Sequence, residues 1–218
     1  MRYAVYFCPA AGSELELFGQ EWLTTASLPG IDAARLHALL ADVRRYGWHA
    51  TLSAPFELAD EAGYDDLREH VLEIARASSA FELPLKLEPL SGFLALRPAA
   101  DESAINALAE RCVRHLNLLR APLSDAAWQR RVNGLDETER RLFRQFGYPY
   151  VLERYRFHIT LTAPATPQEE HVLCTWLSSK AATLPPAQID ALTLCRESAP
   201  GSNFEQLERI ALGKGPVA

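Results

Sequence analysis

The chain has 218 residues, 48% hydrophobic and 23% charged, with a formal net charge of −6 at pH 7. That length and composition suit one domain or two intimate lobes around a substantial core, and they exclude a disordered chain. The acidic balance excludes the broad basic face that duplex or long single-stranded nucleic acid needs, while leaving room for a small anion met by a few local arginines.

At the N-terminus, RYAVYFCP is aromatic and apolar and is stopped by proline, so it reads as a buried first strand. Its apolar run is too short for a secretory signal, and no run approaches the roughly 18 residues of a membrane span, so a cytoplasmic protein with no membrane partner is expected. Residues 10–30 look irregular, with one helical turn at Ser13 to Phe18. DAARLHALLADVRRYG, with Asp32 as a potential cap, reads either as a short helix or as an extended excursion. WHATLSAPFEL is a strand closed by Pro55, and the stretch from Asp60 is an amphipathic helix of about four turns. FELPLKLEPLSGFLALRP reads as two strands turned near Ser91 and Gly92, and residues 101–120 as a second amphipathic helix. Residues 121–150 are arginine-rich and offer the one plausible lobe connection. RYRFHITLTAP is strand-like, and a helix begins at Thr166 with Pro167 in its first position and Glu169 in its first turn. AQIDALTLCRES and EQLERIAL close the chain as strands. The order predicts an α+β fold with antiparallel sheets.

The strongest signal is internal. RYGWHATLSAP from Arg45 and RYRFHITLTAP from Arg154 align without a gap and share seven of eleven residues at an offset of 109. The repeats occupy 45–55 and 154–164 and imply two related halves within a single bilobal unit, 1–218. On a strand, His49 and Thr51 share one face, and Trp48, Ala50 and Leu52 the other; His158 and Thr160 repeat the pattern against Phe157, Ile159 and Leu161. Packed about a pseudo-twofold axis, the polar faces present two imidazoles and two hydroxyls to one small substrate.

That set suits the opening of a cyclic phosphodiester. One histidine takes a proton from water and the other protonates the departing sugar oxygen, both near neutrality. The threonines donate to non-bridging phosphate oxygens. A lone histidine in an apolar strand is ordinarily a satisfied core residue. The duplicate argues otherwise, because core positions diverge freely at constant volume, as Ala50 and Ile159 do, while His-x-Thr is identical in both halves.

HATL and HITL, each preceded by an aromatic residue, resemble the paired signatures of the 2H phosphoesterase superfamily. YGWHATLSAPF, GFLALRP, RAPLS and GYPYV are similar to its branch associated with phosphonate-utilisation operons and once catalogued as a domain of unknown function, DUF1045. The resemblance implies a bilobal pseudo-twofold fold of two antiparallel sheets flanked by helices, with the site in the cleft between them. It also implies metal-independent hydrolysis of 2',3'- or 1,2-cyclic phosphates, with His49 and His158 as the acid-base pair and Thr51 and Thr160 as phosphate ligands. In the phosphonate setting the implied substrate is 5-phosphoribosyl 1,2-cyclic phosphate.

Arg154 and Arg156 lie at even spacing from His158 and could hold a second phosphate. Gly47 stands where Arg156 does in the other half, which points to an asymmetric cleft and a role in substrate choice. Tyr6 and Trp48 are candidates for stacking on a sugar or base, against the commoner role of aromatics in cores. No cofactor is expected, and no carboxylate or cysteine sits at ligand spacing beside either motif histidine, so no metal is expected. Cys8, Cys112, Cys174 and Cys195 are scattered and read as reduced thiols. GKG at Lys214 lacks P-loop spacing and reads as a frayed tail. The expected partner is a small phosphorylated substrate and not duplex nucleic acid; oligomeric state is not legible. The rival readings are an RNA-end 2',3'-cyclic or 2',5' phosphodiesterase, a non-catalytic module that binds a phosphorylated ligand, and a metal enzyme using the two histidines.

Overall fold

The computed structural model describes residues 1–213, and the GKG segment at Lys214 falls outside them apart from Gly213. The elements run β1 (Arg2–Phe7), α1 (Glu14–Thr24), α2 (Ala33–Tyr46), β2 (Ala50–Phe56), α3 (Tyr64–Arg76), β3 (Phe81–Leu83), β4 (Leu85–Leu90), β5 (Phe93–Pro98) and α4 (Ser103–Leu116). They continue with α5 (Asp125–Arg131), α6 (Glu137–Phe146), β6 (Ile159–Thr160), α7 (Pro167–Ala181), β7 (Ala187–Ile189), β8 (Ala191–Glu197) and β9 (Phe204–Ala211).

A seven-stranded antiparallel sheet has the order β4-β5-β6-β2-β1-β8-β9, and β3 and β7 form a separate two-stranded antiparallel sheet. The two motif strands, β2 and β6, are neighbours in the large sheet, with Ala50 opposite Ile159. The two motif strands therefore form a seam within that sheet.

The sheet has one apolar and one mixed face, as period-two alternation requires. Val5, Phe7, Ala50, Leu52, Leu94, Leu96, Ile159, Leu161, Leu192 and Leu194 pack in a single core with apolar stripes from α1, α2, α3, α4 and α7. The resulting burial of Leu36, Leu39, Leu40 and Val43 decides that the segment from Asp32 is a helix, and Asp32 caps it by accepting from Ala34 N and Arg35 N. α7 begins with the expected cap: Thr166 Oγ1 accepts from the Glu169 N–H, and the Glu169 carboxylate accepts from the Thr166 N–H.

Three local expectations change. The turn near Ser13 is an eleven-residue helix, α1, because Leu15, Phe18 and Trp22 form a buried stripe and Ser13 caps it. The segment read as two strands is three, since Pro84 ends β3, which leaves the large sheet to pair with β7. The arginine-rich middle is two helices, α5 and α6, with α6 packed through Leu142 and Phe146 on Val113 and Val151 in a small core of its own.

Candidate active site

The register at the seam assembles the site. Ala50 faces Ile159, so one residue further each way His49 stands opposite Thr160 and Thr51 opposite His158. The intervening Ala50 and Ile159 are fully buried, which locks the register, since a one-residue slip would send both histidines into the core.

Each imidazole is oriented by the same short backbone contact. Nδ1 of His49 lies 2.9 Å from the Gly47 carbonyl, and Nδ1 of His158 lies 2.8 Å from the Arg156 carbonyl. A carbonyl can only accept, so Nδ1 carries the hydrogen in both rings and the neutral Nε2 keeps its lone pair. The surroundings then differ. Half-buried His49 stacks on Tyr6 at 4.0 Å between centroids, and burial, reinforced by the positive potential of His158, lowers its pKa to about 4. His158 has Phe93 at 5.8 Å, and its pKa is lowered by burial and then by Arg97.

A cavity of about 520 Å³ opens beside the seam, of the size that holds a small ligand. Thr51, His158, Arg154, Arg156, Tyr148 and Tyr155 are among its lining residues. His49 and Thr160 are half-buried on the same sheet face but lie outside that lining. Tyr155 donates its hydroxyl to the Thr51 carbonyl at 2.9 Å, which ties the second motif's approach to the first motif's strand. Leu152, at φ 50 in the left-handed region, turns the chain between Val151 and Glu153, both in the cavity wall.

The four substrate-binding expectations fare unequally. Trp48 is corrected to a core residue: it is 8% exposed, packs against Gly19 and the edge of Phe18, and donates Nε1–H to the Leu15 carbonyl at 3.0 Å. Strand parity explains this, since Trp48 points opposite to His49. Tyr6 is corrected too, because at 1% exposure it cannot stack on a substrate and instead supports the His49 ring. Arg154 sits in a short 3₁₀ turn, not on a strand, and borders the cavity with its charge matched by Asp136. Arg156 is exposed at the cavity and lies outside the ion pairs of the described residues. Gly47 has a conformational reason to be glycine: its φ of 78 and ψ of 177 end α2 in a region that side chains avoid. Arg45 belongs to α2, where it pairs with Asp42 and lies over the Tyr46 ring.

Arg97 was not legible as a site neighbour. Its strand pairs with β6 through Ala95–Thr160 and Leu96–Ile159, which puts Arg97 beside His158, held by Glu88 and Glu102. Only knowledge of that strand pairing could have found it. Among the described residues no group of three or more His, Cys, Asp or Glu is placed to hold a metal ion, and no helix is long and apolar enough to cross a membrane.

The family described as "Protein of unknown function (DUF1045)" matches residues 51–205, which includes Thr51, His158 and Thr160 and begins just after His49. A protein of Janthinobacterium sp. (strain Marseille) named ribose 1,5-bisphosphate phosphokinase PhnN is 38% identical over 240 residues, covering 100% of this chain and 52% of that protein. A protein of the same name from Laribacter hongkongensis (strain HLHK9) is 36% identical over 214 residues, covering 94% of this chain and 50% of its own length. The chain thus spans about half the length of the curated relatives it matches. Among solved structures, TT0787 of Thermus thermophilus is similar in fold, with 16% identity, a TM-score of 0.51, and coverage of 99% of this chain and 100% of that one.

Proposed function

This chain belongs to the DUF1045 family, and we propose that it acts as a 2H phosphoesterase, a metal-independent hydrolase of a small cyclic phosphodiester. The observation that carries the reading is the pairing of the two His-x-Thr motifs across one sheet seam, with both imidazoles held in the same tautomer by backbone carbonyls.

The chemistry follows from the inequality of the two rings. His49, its pKa lowered to about 4, is neutral at pH 7 and acts as base. It takes a proton from water as the water oxygen bonds to phosphorus. His158 borders the cavity, where an anionic substrate raises its proton affinity, and it acts as acid. It gives its proton to the sugar oxygen as the phosphorus–oxygen bond breaks, leaving a phosphomonoester and a free hydroxyl. Thr51 and Thr160 donate to the non-bridging oxygens as charge builds. Arg156 supplies positive charge at the cavity.

The substrate we propose is a ribosyl 1,2-cyclic phosphate with a 5-phosphate. Two relatives are named for a kinase of ribose 1,5-bisphosphate, so a ribose carrying two phosphates is coherent with them. Their kinase name is not carried over, because this chain has no G-x-x-x-x-G-K-[ST] sequence and spans about half of each relative.

The test is a panel of cyclic phosphates incubated with the protein in excess chelator, with products read by phosphorus NMR. Phosphomonoester should accumulate from the ribosyl 1,2-cyclic phosphate faster than from a cyclic-ended oligonucleotide. Binding of every compound without turnover would favour a sensing module instead, and loss of turnover in chelator would point to a metal.

A further inference from the structure

Many of the chain's arginines are matched by carboxylates: Arg2 by Glu197, Arg35 by Glu169, Arg68 by Glu208, Arg97 by Glu88 and Glu102, and Arg154 by Asp136. Arg120, Arg130 and Arg131 have no ion pair among the described residues, and all three line one second cavity of about 570 Å³. Glu57, exposed, is the one acid in that lining.

Arg120 is the telling member. Its guanidinium is half-buried and meets only neutral acceptors: Asn117 Oδ1 at 3.2 Å and the carbonyls of Ala121 at 3.1 Å and Gln145 at 3.4 Å. A partly desolvated cation without a counter-charge is costly, and burial accordingly lowers its proton affinity. The fold makes room for it even so. Gly147, at φ 69, lets the guanidinium lie against its backbone, where a Cβ would fall 2.5 Å from Nη1. A bound anion would supply the missing counter-charge.

This chamber adjoins the cavity beside His158. Ala54, Tyr148 and Val151 belong to both walls, and the Arg131 guanidinium lies 5.9 Å from the centroid of the Tyr148 ring. A ligand whose cyclic phosphate lies at His158 and whose body passes Tyr148 would bring its far end among the arginines. We infer that the chamber is the subsite for a terminal phosphomonoester of the same substrate, so that Arg120, Arg130 and Arg131 select a sugar bearing two phosphates. Several guanidinium forks around one dianion are the arrangement that binds phosphate well. The inference rests on the phosphodiesterase reading above.

The test pairs a cyclic phosphate carrying a terminal phosphomonoester with the same compound lacking it. Both are offered to the wild type and to Arg130→Gln/Arg131→Gln, whose exposed helix α5 positions tolerate the change without unfolding. The ratio of kcat/KM for the two compounds should favour the terminal phosphate in the wild type and fall about ten- to hundredfold in the variant, as expected for lost charged hydrogen bonds. Calorimetry with inorganic phosphate, in a His49→Ala/His158→Ala background, should show binding that the two glutamines weaken. An unchanged ratio would overturn the subsite and leave the phosphodiesterase reading standing. Absence of turnover of either compound, with phosphate still bound through Arg130 and Arg131, would overturn that reading and keep the chamber. Phosphate binding indifferent to the substitutions would remove the chamber.

Discussion

The same eleven-residue pattern sits in two unlike settings. Before the first motif, helix α2 ends at Gly47 and the chain enters a seven-residue strand, with His49 pressed on buried Tyr6. Before the second, a 3₁₀ turn and an extended segment lead into a strand of only two residues, and His158 borders an open cavity. The repeat fixes which atoms face the seam, because alternation and the Ala50–Ile159 register do that in both halves. The flanking elements set the surroundings of each ring. On the proposed reading, that difference is what would let identical residues serve as a base and an acid.

Breaking either histidine tests this most severely. His49→Ala and His158→Ala should each lower kcat by about 10²- to 10⁴-fold, the usual contribution of a positioned acid or base, with thermal stability measured alongside to exclude unfolding. Thr51→Val and Thr160→Val should lower kcat by roughly 10²-fold, the effect of losing one donor to a developing anion. Comparable losses at both threonines would show that the seam treats the halves alike at phosphate.

The Gly47/Arg156 contrast is sharpened by a pair of substitutions. Gly47→Ala has open space for its Cβ yet forces a side chain to a φ of 78. It should cost about 1–3 kcal/mol in denaturant unfolding. Arg156→Gln should raise KM about tenfold and leave unfolding unchanged, since its side chain is exposed at the cavity.

The smallest effect is on pH dependence of stability. The pKa of His49 falls from an ordinary 6.5 to about 4 on folding, so between those values the unfolded chain binds more protons. Stability present above pH 6.5 is lost as pH falls toward 4, and His49→Gln should flatten that slope in melting curves. The Glu169 carboxylate, held near 2 by Arg35, contributes in a lower window, lost as pH falls from 4.5 through 2.

Much of this was legible in the sequence because it depends on local rules. The helix caps at Asp32 and Thr166 and the alternating faces of both motifs follow from residue type and spacing. What failed to show depends on pairing between distant segments. Trp48 carried both signals, an aromatic beside a histidine and a residue on the core side of a strand, and parity was the better guide. Tyr6 could not be placed beneath His49 without the β1–β2 register that sets it opposite Thr51. Arg97 needed the β5–β6 pairing. Gly47 looked like a specificity position because it interrupts a repeat, whereas its dihedral angles give it a backbone reason.

The most direct test of the central claim, that the two motifs form one site, is a double-mutant cycle on turnover of the ribosyl cyclic phosphate. Groups that must act together lose their contribution once either is gone, so His49→Ala/His158→Ala should be no slower than the slower single variant. Wild-type turnover in either single variant, or losses that multiply in the double variant as for independent residues, would contradict the account.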